Sequence, residues 1–197
     1  MSFLEILYLL IPSAMIYATP LIFAGIGGVF SERSGVVNIG LEGIMIMGAF
    51  VAIYVNLTYF EDFGRSVIWL SLLAALVVGA LFSILLAVAA VSFRADQTVT
   101  GVALNMLGVA VAVFSVKMIY DGKGQTDNIL APIQHFDIPY LSDIPIIGPM
   151  FFSDVYAVTI IAFAVAILAW FVIYKTPFGL RLRAVGEHPM AADTMGI

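Results

Sequence analysis

Cysteine is absent from the 197 residues. The chain therefore has no disulfide framework, no thiolate metal site and no thiol nucleophile, and the redox compartment leaves no mark on it. Charge is also scarce, at 11% of residues against roughly 25% in soluble domains. A soluble fold of this length buries about two thirds of its surface and needs polar cover for the remainder. This chain lacks that cover, which excludes a cytosolic globular enzyme. Positive charge is the scarcer sign: 8 Lys and Arg against 13 Asp and Glu leave a net charge of −5, where a nucleic-acid binder would show a basic patch.

Motif-like strings fall away on their chemistry. Gly122-Lys-Gly-Gln-Thr126 has neither the upstream glycine spacing nor the preceding strand of a phosphate loop. His135 and His188 have no companion ligands at metal spacing, and His135 with Asp137 reads as a solvated loop pair. Asn56-Leu-Thr58 is a glycosylation sequon in form only, because it abuts an expected membrane exit. No catalytic constellation emerges, so the chain is expected not to be an enzyme and to carry no cofactor of its own.

Apolar residues are abundant instead, at 62% against roughly 45–50% in soluble domains. Residues 6–31, 43–60, 66–93, 97–116 and 155–174 contain no Asp, Glu, Lys or Arg. Each is close to or above the roughly 17–25 residues that a helix needs to cross a bilayer. The fold class expected is all-α: a polytopic transmembrane helical bundle of about five segments. Pro12 and Pro20 predict a kink or break in the first segment, and the re-entrant alternative extends that break into Ser31–Glu42. At 1.5 Å per residue, 66–93 would reach about 40 Å and must tilt or project. The first ten residues hold no Lys or Arg, so they read as part of the first segment and not as a signal peptide.

Orientation follows from the Lys and Arg distribution. Arg33, Arg94, Lys175, Arg181 and Arg183 fall on the side taken as cytoplasmic, against Arg65, Lys117 and Lys123 on the other. Residues 118–154 then form an extracytoplasmic loop, punctuated by proline and glycine from Gly122 to Gly148 and expected to hold a short helix or hairpin. Trp69, Tyr156, Trp170 and Tyr174 sit where interfacial anchors belong.

Two packing seams are legible. Ser71, Ala75, Gly79, Ser83 and Ala87 form a small-residue ridge on the third segment, and Gly101, Asn105, Gly108, Ala112 and Ser115 share one face of the fourth. Asn105 lies within its membrane run and either lines a path or bonds a neighbouring helix. Glu42 follows Ser34-Gly-Val-Val-Asn-Ile-Gly-Leu. It either lines the interior or sits at the interface beside a helix N-terminus beginning near Asn38. Glycines 35, 40 and 43 permit unwound backbone or tight packing there.

After the fifth segment comes Lys175-Thr-Pro-Phe-Gly-Leu-Arg-Leu-Arg-Ala-Val-Gly-Glu-His-Pro-Met-Ala-Ala-Asp-Thr-Met-Gly196. It reads as a basic exit, a turn at Gly186–Pro189, and a short helix with Pro189 at its first position. Ala191 and Ala192 are expected to offer a small docking face. This string resembles the cytoplasmic loop of permease subunits of bacterial ATP-binding-cassette importers, in the branched-chain amino acid and simple sugar permease family. Ser31–Phe50 and Ala95–Leu107 are similar to the nucleoside-importing subgroup.

The resemblance implies one permease domain over 1–197, with the coupling loop at 175–197 and family members about half as long again. The chain is therefore expected to be the N-terminal portion of a larger permease, lying in a bacterial cell membrane. Implied partners are a cytoplasmic ATPase that binds the ATP, a second permease subunit and an extracytoplasmic substrate-binding lipoprotein. Gly186, Glu187, Pro189, Ala191 and Ala192 would couple to the ATPase, and Asn38, Glu42 and Asn105 would serve the path. Sugar or other small polar solutes, or an ion-gradient transporter with broken helices, are the alternatives.

Overall fold

The structure is a computed structural model that describes residues 3–196; Ile197, the last residue of the expected coupling loop, lies outside them. Among the described residues, four stretches are long and apolar enough to cross a membrane: Phe3–Arg33, Leu41–Ser92, Gln97–Ile119 and Ala157–Lys175. The second has 52 residues and as a single rod would be about 78 Å long, more than twice the roughly 30 Å hydrocarbon core. It folds as two helices, α2 (Leu41–Phe63) and α3 (Val67–Ala87). Gly64 divides them at φ 53° and ψ −136°, a conformation that side chains exclude. With α1 (Phe3–Arg33), α4 (Gln97–Ile119) and α6 (Ala157–Lys175), the five expected segments are five long helices.

The chain divides into two compact units, Val36–Pro132 and the pair Met1–Gly35 with Ile133–Ile197. In the first, α2 packs on both α3 and α4. Ser71 is buried on the α3 seam. A Cβ at Gly48 would rest 3.6 Å from the Ala75 carbonyl, and one at Gly79 3.6 Å from Ile44. Further along the expected ridge Ala75, Gly79 and Ser83 are half-buried and Ala87 is exposed. The α3 helix closes in a π-helical turn over Val88–Ser92, where Phe93 N–H reaches back to the Val88 carbonyl at 3.1 Å. The α-helical part is thus about 32 Å long, and the π-helical turn carries the helix on to Ser92. Asp96 then caps α4, accepting from Val99 N–H at 2.9 Å. At the other end of α2, the buried Asn56 amide donates to the Ala131 carbonyl at 3.0 Å and accepts from Ala131 N–H at 3.3 Å. The sequon asparagine therefore serves to tie down the loop.

In the second unit, α1 packs on α6. The expected break in α1 is absent: the helix runs unbroken through Pro12 and Pro20. Near the prolines two hydroxyls bond back along the helix, Ser13 donating to Leu9 O at 2.8 Å and Thr19 to Met15 O at 2.9 Å. Thr19 and Thr159, both buried, join α1 to α6 through their hydroxyls at 2.8 Å. The loop carries the expected hairpin and short helix: β1 (His135–Phe136) pairs antiparallel with β2 (Val155–Tyr156), and α5 (Ile147–Phe151) lies between them. His135 turns to Asp154 at 3.2 Å, while Asp137 accepts from Asp154 N–H at 2.8 Å, so the expected His135–Asp137 pair is replaced by one with Asp154.

The basic exit after Lys175 is itself a helix, α7 (Pro177–Glu187). Thr176 caps it, accepting from Gly179 N–H at 3.3 Å, and Pro177 opens it, where a missing N–H costs nothing. The short helix expected beyond the turn is α8 (Pro189–Thr194), with His188 as its cap and Pro189 at its first position.

Gly108→Ala is expected to destabilise the protein by about 1–3 kcal/mol, because the new methyl would lie 2.7 Å from the Gly43 carbonyl oxygen. Gly25→Ala, which meets nothing within 4 Å, should be neutral or gain up to about 1 kcal/mol. Thermal unfolding of both variants in detergent checks the contrast.

Candidate functional site

Between α1 and α2 the chain is non-helical from Ser34 to Gly40. Five of those residues, Val36 to Gly40, are held along the first turns of α4. Val37 N–H donates to the Gln97 side-chain oxygen at 2.7 Å. Two turns further along α4, Asn105 makes both bonds of its amide: it accepts from Gly43 N–H at 2.7 Å and donates to the Ile39 carbonyl at 3.0 Å. Asn38 folds back locally and accepts from Gly40 N–H at 3.0 Å. The head of α2 is therefore capped from outside its own helix, since Gly40 stands at its N-cap position with no side chain to offer.

Glycine makes this approach possible. A Cβ on Gly43 would lie 2.8 Å from the Asn105 Cα, and one on Gly101 3.0 Å from the Ile39 Cβ. Backbone here meets backbone, as it does in membrane helix pairs built on small residues. Of the three residues expected to serve a path, Asn38 and Asn105 are brought together around this head. Asn38 Oδ1 accepts from backbone, and Asn105 spends both ends of its amide on backbone, making the bond between helices that was one of its two expected roles. Glu42 stands in the first turn of α2, exposed, where the positive end of the helix favours a carboxylate.

The second cluster lies in the other unit, at the elbow of α6, α7 and α8. Gly179 is pressed on the carbonyls of Val172 and Ile173, with no room for a Cβ. Tyr174 is gripped twice: Arg33 donates to its hydroxyl at 3.3 Å, and the Arg183 guanidinium lies 5.3 Å from its ring centroid, within cation–π range. Lys175 stands likewise 5.7 Å from the Trp170 ring. Glu32, Arg33, Arg183, Gly186 and Glu187 line a polar cleft of about 320 Å³. Gly186 itself is jammed on the Arg33 carbonyl, and a Cβ at Gly35 would come 3.3 Å from the Gly186 Cα.

The expected coupling residues thus divide. Glu187, Pro189 and Ala191 are exposed, while Gly186 faces the end of α1 and Ala192 is 5% exposed. Of the two alanines expected to form a docking face, only Ala191 is on the surface. Its neighbour Met190 is 82% exposed. Sequence reasoning missed Gln97 and Tyr174. Gln97 lies in the quoted Ala95–Leu107 string but carries no periodicity that singles it out, and Tyr174 reads as an interfacial anchor.

The family model described as the branched-chain amino acid transport system permease component matches residues 10–197. The chain is 58% identical over its whole length to the guanosine ABC transporter permease protein NupQ of Bacillus subtilis, covering 61% of that protein. It is 50% identical, again over its whole length, to the nucleoside ABC transporter permease protein NupC of Lactococcus lactis, covering 62% of it. Over 91% of its length it is 33% identical to the putative glucose ABC transporter permease protein TsgC13 of Haloferax volcanii, covering 52% of that protein. The chain thus spans a little under two thirds of the length of the first two relatives and about half of the third. No solved structure matches it.

Asn105→Leu should leave Gly43 N–H and the Ile39 carbonyl unpaired, at about 1–3 kcal/mol each. Asn105→Asp keeps the acceptor and should lose less. Amide hydrogen exchange at Gly43 reads this directly: exchange as slow in the leucine variant as in the parent would show that the clamp is not what protects it.

Proposed function

The chain belongs to the branched-chain amino acid transport permease family and is a multi-pass membrane protein, and on that premise we propose that it is the permease subunit of an ATP-binding-cassette importer of nucleosides. The observation that carries the substrate class is the 58% and 50% identity, over all of this chain, to permeases named for guanosine and for nucleosides. The one sugar permease among the three relatives stands further away, at 33%.

In this reading the importer sits in a bacterial cell membrane. Two permease subunits form the path, a cytoplasmic ATPase binds and hydrolyses the ATP, and a substrate-binding lipoprotein delivers the nucleoside from outside. The exposed tip of α7–α8, with Glu187, Pro189, Met190 and Ala191, meets the ATPase. A short helix led by proline presents a compact, preset surface for such docking. Glu42, held at the mouth of α2, is the path's ionisable group, and Asn38 and Asn105 serve the path by holding that mouth in shape.

Reconstituted with its partners, the permease is expected to take up labelled guanosine only with ATP, and excess unlabelled glucose should not compete. Uptake that continues without the ATPase and collapses with an ionophore would point to a gradient-driven transporter. Met190→Asp or Glu187→Arg should weaken capture of the ATPase by about tenfold, equivalent to about 1.4 kcal/mol, with the permease still folded; binding measured by co-purification titration checks it.

A further inference from the structure

We propose that Gly35 and Gly186 form the contact through which movement of the cytoplasmic elbow reaches the head of α2, a role that rests on the permease reading above. Gly186 then acts inward, as a positioning residue, while its neighbours in the same loop face outward. The contact has no side chain in it. A Cβ on Gly186 would collide with the Arg33 carbonyl oxygen and stand 3.2 Å from Gly35 N, and one on Gly35 would stand 3.3 Å from the Gly186 Cα. Side chains at a contact can change rotamer and absorb a displacement; two touching backbones transmit it.

The elbow is also bound to the end of α1 at a second point. Arg33 holds the Tyr174 hydroxyl at 3.3 Å, and Arg183, one turn before Gly186, lies over the same ring. Gly179 fixes the other end of α7 on the Val172 and Ile173 carbonyls. Tilting α7 therefore carries the last turn of α1 with it. The charged groups around the contact are Glu32, Arg33, Arg183 and Glu187, two of each sign, so the seam carries no net charge that would drive it apart.

Beyond Gly35, whose φ of +85° sets the direction of exit, the chain passes straight into Val36–Gly40. That stretch has no helix of its own to stretch or bend. Its bonds go to Gln97 and Asn105 on α4, and it ends at the first turn of α2, next to Glu42. A shift imposed at Gly186 thus arrives, through five residues of non-helical chain, where the path is expected to open. The predicted behaviour is rigid transfer: the Gly35–Gly186 contact persists through the cycle, and the amide clamp on α4 is what yields.

The test uses the permease expressed from its full gene, reconstituted with its ATPase and binding protein, with guanosine uptake and ATP hydrolysis measured together. Gly186→Ala should keep ATPase capture and ATP hydrolysis but lower guanosine taken up per ATP by about tenfold, within the roughly 5–150-fold span of couplings between sites. Folded Gly186→Ala protein with an unchanged ratio overturns the proposal. Should that variant not fold, the cysteine-free chain allows a second reading. Glu32→Cys with Arg183→Cys places two thiols on the same cleft, and bridging them with a short bis-maleimide should leave uptake at its unbridged rate. A bridge that stops uptake means that the seam opens during the cycle, which overturns rigid transfer. Absence of ATP-dependent uptake by the unmodified permease refutes the importer reading itself, and the relay with it.

Discussion

The first N–H groups of α2 have no partner within their own helix, and a segment shielded from water must find partners for them in the protein. The glycine at the cap position offers nothing, so the bond to Gly43 comes from Asn105 on another helix. Much of the first unit follows from that one requirement. For the Asn105 amide to reach, α4 must approach within backbone contact, which demands Gly101 and Gly108 on one side and Gly40 and Gly43 on the other. For Ile39 to meet the same amide, the chain before α2 must run extended beside α4. The non-helical stretch is thus a consequence of how the next helix is capped.

The second unit solves a different problem with similar means. Two helices, α6 and α7, join in a sharp turn at Tyr174–Thr176, where the last carbonyls of one helix meet the first N–H groups of the next. Gly179 lets α7 fold back on α6, Thr176 caps it, and the Tyr174 ring is shared by two arginines. Aromatic and cationic groups concentrate here because this is where apolar helix gives way to polar chain.

The helices were legible because charge is so rare that each gap in it is a span. Asn105 was legible as the one amide set between glycines on the same face of a membrane run, although its two backbone partners appear only in the structure. The unbroken α1 was not legible: a proline removes one hydrogen bond from a helix, and whether the chain stays helical there depends on packing that no local pattern encodes. The α7 helix was hidden by Arg181 and Arg183, which read as a basic exit, while Arg183 also faces Tyr174 and the polar cleft. The approach of Gly35 to Gly186 joins residues from opposite ends of the chain, and no local pattern encodes it. For the same reason Ala192 reads as surface in the sequence and is buried in the fold.

The glycines at 35, 43, 101, 108 and 186 have a genetic consequence. Every single-base change of a glycine codon that alters the residue adds at least a methyl group, and at these positions the methyl meets backbone or a fixed side-chain stem. None of them has a mild first mutation through which the gene can drift. Gly25 and Gly124, where a Cβ meets nothing within 4 Å, are not blocked in this way. Variation in this gene should therefore pass around the seams and accumulate on the open faces.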